Sequence, residues 1–134
     1  MLRFAMEKLQ AWKEKKDRKP LIIMGARQVG KTWLMKEFGT TCYEKVAYIS
    51  FYNNKRMDDV FQVDFDIQRI IMNLNIESGV TITPGDTLII LDEIQDTPKV
   101  LESLKYFCEE APEYHVIAAG SWSCERYRRL PLLH

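Results

Sequence analysis

Continuous apolar runs recur four times along the chain. Each run is short and does not alternate with polar residues, which is typical of strands buried on both faces of a sheet. Between the runs, apolar residues fall three and four positions apart, as they do along one side of a helix. The runs predict strands at 21–24, 46–51, 87–91 and 115–119, and the spacing predicts helices at 2–16, 30–39, 66–75 and from Thr97 onward. Strands that alternate with helices predict an α/β fold with a parallel sheet covered on both faces.

Cap residues indicate where these helices begin and end. Gly39 is a common type of C-terminal stop for the second helix. Asp64 or Asp66 offers a capping carboxylate for the third helix. Thr97 followed by Pro98 combines a capping hydroxyl with proline at the first helical position, so the fourth helix is expected to begin there.

The composition fits one globular domain. The chain has 134 residues, of which 46% are hydrophobic and 28% are charged. Nineteen basic and nineteen acidic residues cancel, so the total charge gives no reason to expect nucleic acid as a partner. Residues 1–20 nevertheless carry seven Lys or Arg against three acids. We interpret this run as a solvated helix face, with a surface for nucleic acid or a protein partner as the alternative.

Two observations concern the cellular compartment. Cys42, Cys108 and Cys124 are far apart and lack metal-ligand spacing, which suits a reducing cytoplasm better than a disulfide framework. No apolar run approaches the roughly 20 residues of a membrane helix, and the basic start lacks the apolar stretch of a signal peptide. We therefore expect a cytoplasmic protein with no membrane partner.

Residues 25–32 read GARQVGKT and match the pattern GxxxxGK[ST] in full. A loop that wraps a phosphate turns its backbone N–H groups inward, and glycine at 25 and 30 permits close approach and positive φ. The next helix directs its free amide groups at the same anion. Lys31 would reach the β- and γ-phosphates, and the Thr32 hydroxyl would ligate Mg²⁺. A surface glycine loop with a solvated lysine is the alternative. The expected nucleotide-binding residues are Gly25, Ala26, Arg27, Gln28, Val29, Gly30, Lys31, Thr32 and Trp33.

A second motif ends the third predicted strand. Residues 88–93 read LIILDE, so four apolar residues lead into Asp92 and Glu93. Ligands of open α/β sheets bind at the carboxyl ends of the strands. Asp92 would there hold the water shell of Mg²⁺, and Glu93 would orient and polarise the water that attacks the γ-phosphate. Two solvated acids that cap the next helix are the alternative, but the phosphate-binding pattern upstream favours the metal and water roles.

Two further polar residues are candidates for contact with the phosphates of the nucleotide. Ser121 ends the fourth predicted strand, where it would sense the γ-phosphate or help to place the water; a turn serine is the alternative. Arg27 would contact phosphate or face solvent. The tryptophans are interpreted as packing groups rather than base-stacking groups, namely Trp12, Trp33 and Trp122.

GARQVGKT followed by LDEIQ resembles the prokaryotic AAA+-type P-loop ATPases. The resemblance covers residues 1–121 and implies a three-layer P-loop core with a parallel sheet. It implies that Lys31 and Thr32 are the Walker A residues and that Asp92 and Glu93 are the Walker B pair. Ser121 matches the first-sensor position. ATP and Mg²⁺ are the implied ligands, and ATP hydrolysis coupled to a conformational change is the implied activity, with Lys31, Glu93 and Ser121 as catalytic residues.

The sequence departs from the family pattern in two places. Tyr52 stands where an acidic residue is expected after the second strand. Residues 122–134 do not resemble the family's continuation, so we expect a partial core at 1–121, incomplete at its C-terminal side, followed by an atypical tail. The fifth strand, second sensor and arginine finger would then be missing, and turnover would be slow. An uncovered sheet edge would favour self-association.

Other functions also fit the motifs. A truncated nucleotide-binding module would bind ATP with little or no catalysis. A GTPase-like switch usually needs an NKxD-type segment after the Walker B strand, whereas the segment NKRM at 54–57 precedes that strand and lacks the aspartate. A small-molecule kinase is less favoured, because Glu93 suits the activation of water.

Overall fold

The computed structural model describes residues 2–24 and 29–121. Within them the chain forms five helices and four strands. The helices are α1 (Leu2–Glu14), α2 (Val29–Cys42), α3 (Lys55–Val63), α4 (Ile67–Ser78) and α5 (Pro98–Glu110). The strands are β1 (Leu21–Met24), β2 (Lys45–Ser50), β3 (Thr87–Asp92) and β4 (His115–Gly120). All four predicted strands are present, with bounds within one residue of the prediction.

The four strands form one parallel sheet in the order β1-β4-β3-β2. β3 and β4 lie at the centre and are buried along their whole length. Continuous apolar strands need neighbours on both edges and helices on both faces, and the central position supplies them. The predicted α/β fold with a parallel sheet is therefore confirmed.

Alternate residues of the two central strands face opposite layers of helices. The residues that pack against α3, α4 and α5 include Ile89, Leu91, Val116 and Ala118. The residues that pack against α1 and α2 are Leu88, Ile90, Ile117 and Ala119. Burying one large aliphatic side chain contributes about 1.5–3 kcal/mol. Because both faces are buried, the two clusters hold the three layers together.

Helix α2 continues through Gly39 to Cys42, so the prediction that it ends at this glycine is wrong. A Cβ at Gly39 would lie 2.5 Å from Val46 Cγ2 and 3.2 Å from Leu88 Cδ2. The absence of a side chain thus lets α2 approach β2 and β3 closely. Gly39 therefore allows α2 to pack against the sheet and does not end the helix.

Helix α3 lies in a stretch where no element was expected. Met57, Val60 and Phe61 fall at helical spacing, and Met57 and Phe61 are buried. Asn54 caps the helix, because its side-chain oxygen accepts the Met57 N–H at 3.2 Å. The helix has only nine residues, and the charged ones among them obscure its short apolar side.

Of the caps predicted for α4 and α5, the structure contains the first but not the second. Asp66 caps α4 by accepting the Gln68 N–H at 3.2 Å, which confirms one of the two candidates. Thr97 precedes Pro98 at the start of α5, but its hydroxyl makes no capping bond. Thr97 Oγ1 instead donates to Ile94 O at 3.0 Å, so the capping role is wrong and the hydroxyl closes the turn before the helix.

A polar and aromatic cluster fastens α1 and the end of α2 to the start of β4. The Tyr43 hydroxyl and His115 Nδ1 are 2.6 Å apart in a buried hydrogen bond. Trp12 packs edge-on against His115 and donates from Nε1 to Lys19 O at 2.8 Å. Packing is therefore confirmed as the role of Trp12, which is 9% exposed.

Among residues 2–24 and 29–121, no helix combines the length and the apolar character needed to cross a bilayer.

Candidate active site

The carboxyl ends of the parallel strands meet at one edge of the sheet, and the first turn of α2 lies there as well. Residues from three places lie at this edge. They are Lys31 and Thr32 of α2, Asp92 and Glu93 at the end of β3, and Ser121 after β4. The fold thus brings together the described residues of both sequence motifs.

Only part of the predicted phosphate-binding segment is described. Gly25, Ala26, Arg27 and Gln28 lie outside the described residues, as does Trp122. Because α2 begins at Val29, Gly30 has a helical backbone and does not use the positive φ that a glycine permits. A Cβ at Gly30 meets none of the described atoms within 4 Å, so that side of the turn admits the close approach of a phosphate. Trp33 is 52% exposed, which does not support a packing role.

Thr32 and Asp92 are in direct contact. Thr32 Oγ1 donates to Asp92 Oδ2 at 2.7 Å. Thr32 lies in the first turn of α2 and Asp92 is the last residue of β3, so one hydrogen bond joins two motifs that are 60 residues apart. A hydroxyl oxygen and a carboxylate oxygen now lie side by side at the edge of the sheet.

Asp92 is 1% exposed, and three donors fix its carboxylate. Besides Thr32, the Tyr48 hydroxyl donates to Oδ2 at 2.8 Å. The Glu93 N–H donates to Oδ1 at 2.9 Å. A buried carboxylate requires such partners, because its oxygens have lost their contact with bulk water. The orientation of Asp92 is therefore set before any ligand binds.

Tyr48 of β2 is a site residue that the sequence motifs do not contain. Burial raises the pKa of its phenol, and the hydrogen bond to Asp92 and the charge of that carboxylate raise the pKa further. The phenol thus remains a donor over the whole physiological pH range. The Lys36 ammonium lies over the Tyr48 ring at 4.0 Å from its centroid, which places a positive charge beside the site.

Lys31 reaches across the edge of the sheet from α2 to β4. Its Nζ donates to Gly120 O at 3.1 Å. This carbonyl ends β4, so the ammonium lies between the first turn of α2 and the residue that precedes Ser121. A cation in that position can exchange a carbonyl partner for a phosphate oxygen by a small side-chain rotation.

Glu93 has a left-handed backbone conformation, with φ of 59°. This region is uncommon for residues other than glycine and costs about 1–3 kcal/mol. The conformation turns the chain away from β3, so that the Ile94 N–H reaches Ala119 O of β4 at 3.0 Å. Strain of this kind is concentrated at functional sites.

The Glu93 carboxylate and Ser121 are linked through Gln95. Gln95 Nε2 donates to Glu93 Oε1 at 3.1 Å. Gln95 Oε1 accepts the Ser121 N–H at 3.1 Å. The ends of β3 and β4 are therefore connected by one side-chain amide.

A cleft of about 440 Å³ opens beside Glu93. It lies between the segment after β2 and the turn after β3. Its walls include Tyr52, Asn53, Asn54, Glu93, Gln95 and Asp96. Tyr52, which stands where an acidic residue was expected, is 61% exposed and forms part of this wall. Glu93 can thus be reached from solvent or by a ligand.

The donor set fits a magnesium ion. Mg²⁺ prefers oxygen ligands and usually takes one or two protein groups, with phosphate oxygens and water completing its shell. Thr32 and Asp92 supply a hydroxyl and a carboxylate of that kind, 2.7 Å apart. Within the described residues no group of three or more His, Cys, Asp or Glu forms a site enclosed by protein alone. Two protein ligands would leave the rest of a Mg²⁺ shell to phosphate oxygens and water.

The chain matches the model of a known protein family. The model of the family described as "AAA domain" matches residues 17–130. The chain belongs to the AAA-domain family. This membership confirms the resemblance to AAA-type P-loop ATPases, a nucleotide-binding family. No curated protein matches the chain.

The match to this AAA domain family extends past Ser121 into the segment that the sequence set apart as an atypical tail. Residues 122–134 lie outside the described residues, so the division of the chain at residue 121 stays a prediction. The match begins at residue 17, after the end of α1. Helix α1 therefore lies outside the matched part of the AAA domain.

Two residues of this AAA domain's site were missed by the motifs. Tyr48 belongs to a strand that its apolar character identified, and its polar end carried no separate signal. Gln95 is the last letter of LDEIQ, which contributed to the family resemblance without a role for the glutamine. Its position after the acidic pair was the available signal.

Proposed function

We propose that this AAA domain binds ATP with Mg²⁺, hydrolyses it and couples hydrolysis to a conformational change. The observation that carries the proposal is the 2.7 Å hydrogen bond between Thr32 Oγ1 and Asp92 Oδ2. It joins the residue after the phosphate-binding lysine to the carboxylate that ends a central strand. That juxtaposition is what a metal-dependent phosphate site at this edge requires.

Phosphate binding is assigned to Lys31 and the first turn of α2. The N-terminal N–H groups of a helix and its dipole attract anions. Lys31 adds a full positive charge, which now lies against Gly120 O. The amide groups would hold the phosphates in place, and the ammonium would offset the negative charge at their outer end.

The metal is assigned to Thr32 and Asp92. The Thr32 hydroxyl would offer an oxygen lone pair to Mg²⁺ and would still donate its proton to Asp92 Oδ2, so the hydrogen bond of 2.7 Å need not break. Bound Mg²⁺ would neutralise charge on the β- and γ-phosphates during hydrolysis. Tyr48 and the Glu93 N–H keep the Asp92 carboxylate in position for that role.

Water activation is assigned to Glu93. The residue follows Asp92 directly but turns into the cleft, where water has access. Its carboxylate would accept a hydrogen bond from the attacking water and orient the water toward the phosphate. Ser121, which follows the carbonyl that holds Lys31, would sense the γ-phosphate or help to place the water.

The coupling is assigned to the turn at 93–97. Ile94 N–H is bonded to Ala119 O, and Thr97 N–H to Ile94 O, both at 3.0 Å. The turn leads directly into α5, which packs on the face of the sheet opposite α2. A movement of Glu93 on loss of the γ-phosphate would therefore reach α5 through few bonds.

ATP binding is tested by Lys31→Ala in isothermal titration calorimetry with Mg²⁺. Hydrogen bonds to charged groups are worth about 1.5–3 kcal/mol, so the variant should bind ATP about tenfold more weakly or worse. Lys99→Ala, which removes the same charge from the exposed side of α5, is the control and should keep the parent affinity. Equal affinity of parent and Lys31→Ala would refute the role of Lys31.

Hydrolysis is tested by Glu93→Gln. This variant should keep ATP affinity, because Asp92 and Lys31 are intact, and should lower phosphate release by about a hundredfold or more. Normal release by the variant would refute the water role of Glu93. Binding by the parent without any release would instead support the alternative, a nucleotide-binding module with little or no catalysis.

A GTPase-like switch receives less support from the structure. The NKRM segment is used in folding, because Asn54 caps α3 and also donates to Ser50 O at 2.9 Å. Competition between ATP and GTP in the same titration distinguishes the two nucleotides, and we expect ATP to bind more tightly.

A further inference from the structure

Gln95 is attached to both halves of the site through the two ends of its amide group. Its Nε2 donates to Glu93 Oε1 at 3.1 Å, and its Oε1 accepts the Ser121 N–H at 3.1 Å. The side chain is half-buried at the carboxyl edge of the sheet. It thus spans the gap between the residue after β3 and the residue after β4.

The orientation of the amide group follows from its partners. The Ser121 backbone N–H can only donate, so it must face Gln95 Oε1. The NH₂ group must then face Glu93, whose carboxylate oxygen accepts. The opposite orientation would place two donors together and two acceptors together. Only one arrangement satisfies both contacts.

The backbone that carries Gln95 is fixed on both sides. Before it, the Glu93 N–H is bonded to Asp92 Oδ1 at 2.9 Å, and the Ile94 N–H to Ala119 O at 3.0 Å. After it, the Thr97 N–H is bonded to Ile94 O at 3.0 Å. A side chain on such a platform can hold its neighbour accurately, because little of its own backbone freedom remains.

The donor that Gln95 offers to Glu93 is neutral. Within residues 2–24 and 29–121, no Lys or Arg forms an ion pair with Glu93. A cation in this position would hold the carboxylate but would also draw away the negative charge that polarises water. An amide fixes the carboxylate and leaves its charge available.

We propose that Gln95 is a positioning residue for Glu93 and ties the position of the Glu93 carboxylate to that of the Ser121 amide at the end of β4. The proposal rests on the proposed function, in which Glu93 orients the attacking water. Because the same amide group touches both residues, a shift of Ser121 toward a phosphate moves the Glu93 carboxylate with it. The position of the end of β4 thereby determines whether the Glu93 carboxylate lies where it can orient the attacking water.

The test compares two substitutions that separate the two contacts. Gln95→Glu keeps an acceptor for the Ser121 N–H but places a carboxylate against Glu93, which repels it. Gln95→Met has a similar length and removes both contacts. Gln62→Glu is the matched control, because Gln62 also donates to a carboxylate, Asp58 Oδ1 at 3.2 Å, but does so on exposed α3.

We measure kcat, KM, ATP affinity and melting temperature for each variant of the full chain. If Gln95 positions Glu93, kcat should decrease in the order parent, Gln95→Met, Gln95→Glu. We expect kcat to fall about three- to tenfold in Gln95→Met and further in Gln95→Glu. ATP affinity stays at the parent value in both. A purely structural role gives another order, in which Gln95→Glu resembles the parent and only Gln95→Met loses stability. That second order would overturn the proposal.

Glu93→Gln separates failure of this inference from failure of the proposed function. If Glu93→Gln does not lower kcat, the water role of Glu93 is wrong. If it does, substitution of Gln95 in the Glu93→Gln background should lower kcat no further, because the charge to be positioned is already gone. A full additional loss from Gln95→Met in that background would contradict the positioning role alone.

A second measurement does not need turnover. In ¹⁵N-labelled protein without nucleotide, the side-chain NH₂ signals of Gln95 should be shifted by the hydrogen bond, and Glu93→Ala should move them toward the values of a solvated glutamine. The Ser121 amide signal should move in Gln95→Met but much less in Gln95→Glu. Gln95 signals that are unchanged by Glu93→Ala would overturn the proposal.

Discussion

At the scale of single residues, the site is organised around the buried carboxylate of Asp92. Its two oxygens accept from Thr32, Tyr48 and the Glu93 N–H. Two of these donors lie on one oxygen, and each belongs to a different element. A carboxylate held in this way needs little rearrangement when a cation arrives, and such preorganisation is what makes electrostatic catalysis effective.

Tyr48→Phe tests how far this preorganisation depends on Tyr48. The change removes one donor to Asp92 and keeps the aromatic ring under Lys36. One net hydrogen bond is worth about 0.5–1.5 kcal/mol, so we expect a three- to tenfold higher Mg²⁺ concentration for half-maximal ATP binding. The measurement is an ATP titration at several Mg²⁺ concentrations.

Tyr114→Phe is the control for this substitution, because the Tyr114 ring packs against Phe107 away from the site. It should leave the Mg²⁺ requirement at the parent value. The same Mg²⁺ requirement in Tyr48→Phe and the parent would show that Thr32 and the Glu93 N–H suffice to hold Asp92.

The residues of the site divide into those that a motif fixes and those that only the fold brings in. Lys31, Thr32, Asp92 and Glu93 could be predicted because the chemistry of a phosphate and its metal demands these residue types at set positions. Tyr48 carried no such signal, and the only signal for Gln95 was its position after the acidic pair. Their roles depend on strand order and on a turn that follows β3, and neither is encoded in local spacing.

At the scale of elements, the strands were the most predictable part of the chain. Continuous apolar runs have few alternatives to a buried strand, and β3 and β4 are indeed buried throughout. The predicted ends of the helices were less certain, because they rested on residues that can serve more than one structural role. Glycine is common at helix ends, but the close approach of Val46 explains better why a glycine stands at position 39. Such tertiary causes are not visible in local sequence.

The contacts of α1 and α2 with β4 include the buried imidazole of His115. Burial lowers the pKa of this imidazole to about 4, and the positive charges of Arg18 and Lys13 contribute. The ordinary value is 6.5, so the unfolded chain binds a proton more readily than the folded chain. The stability due to neutral His115 is complete above pH 6.5 and is lost as the pH falls toward 4.

We therefore expect the free energy of unfolding to fall by about 2 kcal/mol between pH 7 and pH 5 through this residue. His115→Gln removes the titrating group and leaves a polar partner for the Tyr43 hydroxyl. Urea unfolding at a series of pH values should show a shallower fall for this variant than for the parent. Parallel curves would mean that His115 is protonated without cost in the folded chain.

At the scale of the whole molecule, the strands of the sheet are not equally buried. The central strands are buried throughout, but all four residues of β1 are only partly buried. Within residues 2–24 and 29–121, β1 pairs with β4 alone and its other edge has no partner strand. Exposed strand edges can pair with other chains. The net charge of zero offers no overall repulsion against such contacts.

Apolar residues outside the sheet add to this tendency. Met72 and Ile76 lie one helical turn apart on α4 and are 64% and 75% exposed. Val63 at the end of α3 is 69% exposed. Groups of exposed apolar side chains often mark association surfaces. The described residues thus include a strand edge and a helix face, and we expect copies of the chain to associate through one of them.

We predict that the chain self-associates, and light scattering at two protein concentrations measures this directly. The mass should exceed the 15.8 kDa of the single chain and should fall on dilution. A Met72→Lys, Ile76→Lys double variant distinguishes the two surfaces, because it places charge on the α4 face and leaves the β1 edge intact. Association that persists in the variant indicates the edge, and association that disappears indicates the helix face. A constant mass of one chain at both concentrations, with a cooperative melt, would contradict the prediction. It would mean that the outer edge of β1 is covered within the single chain, since four partly buried residues with free backbone groups would otherwise remain available for pairing.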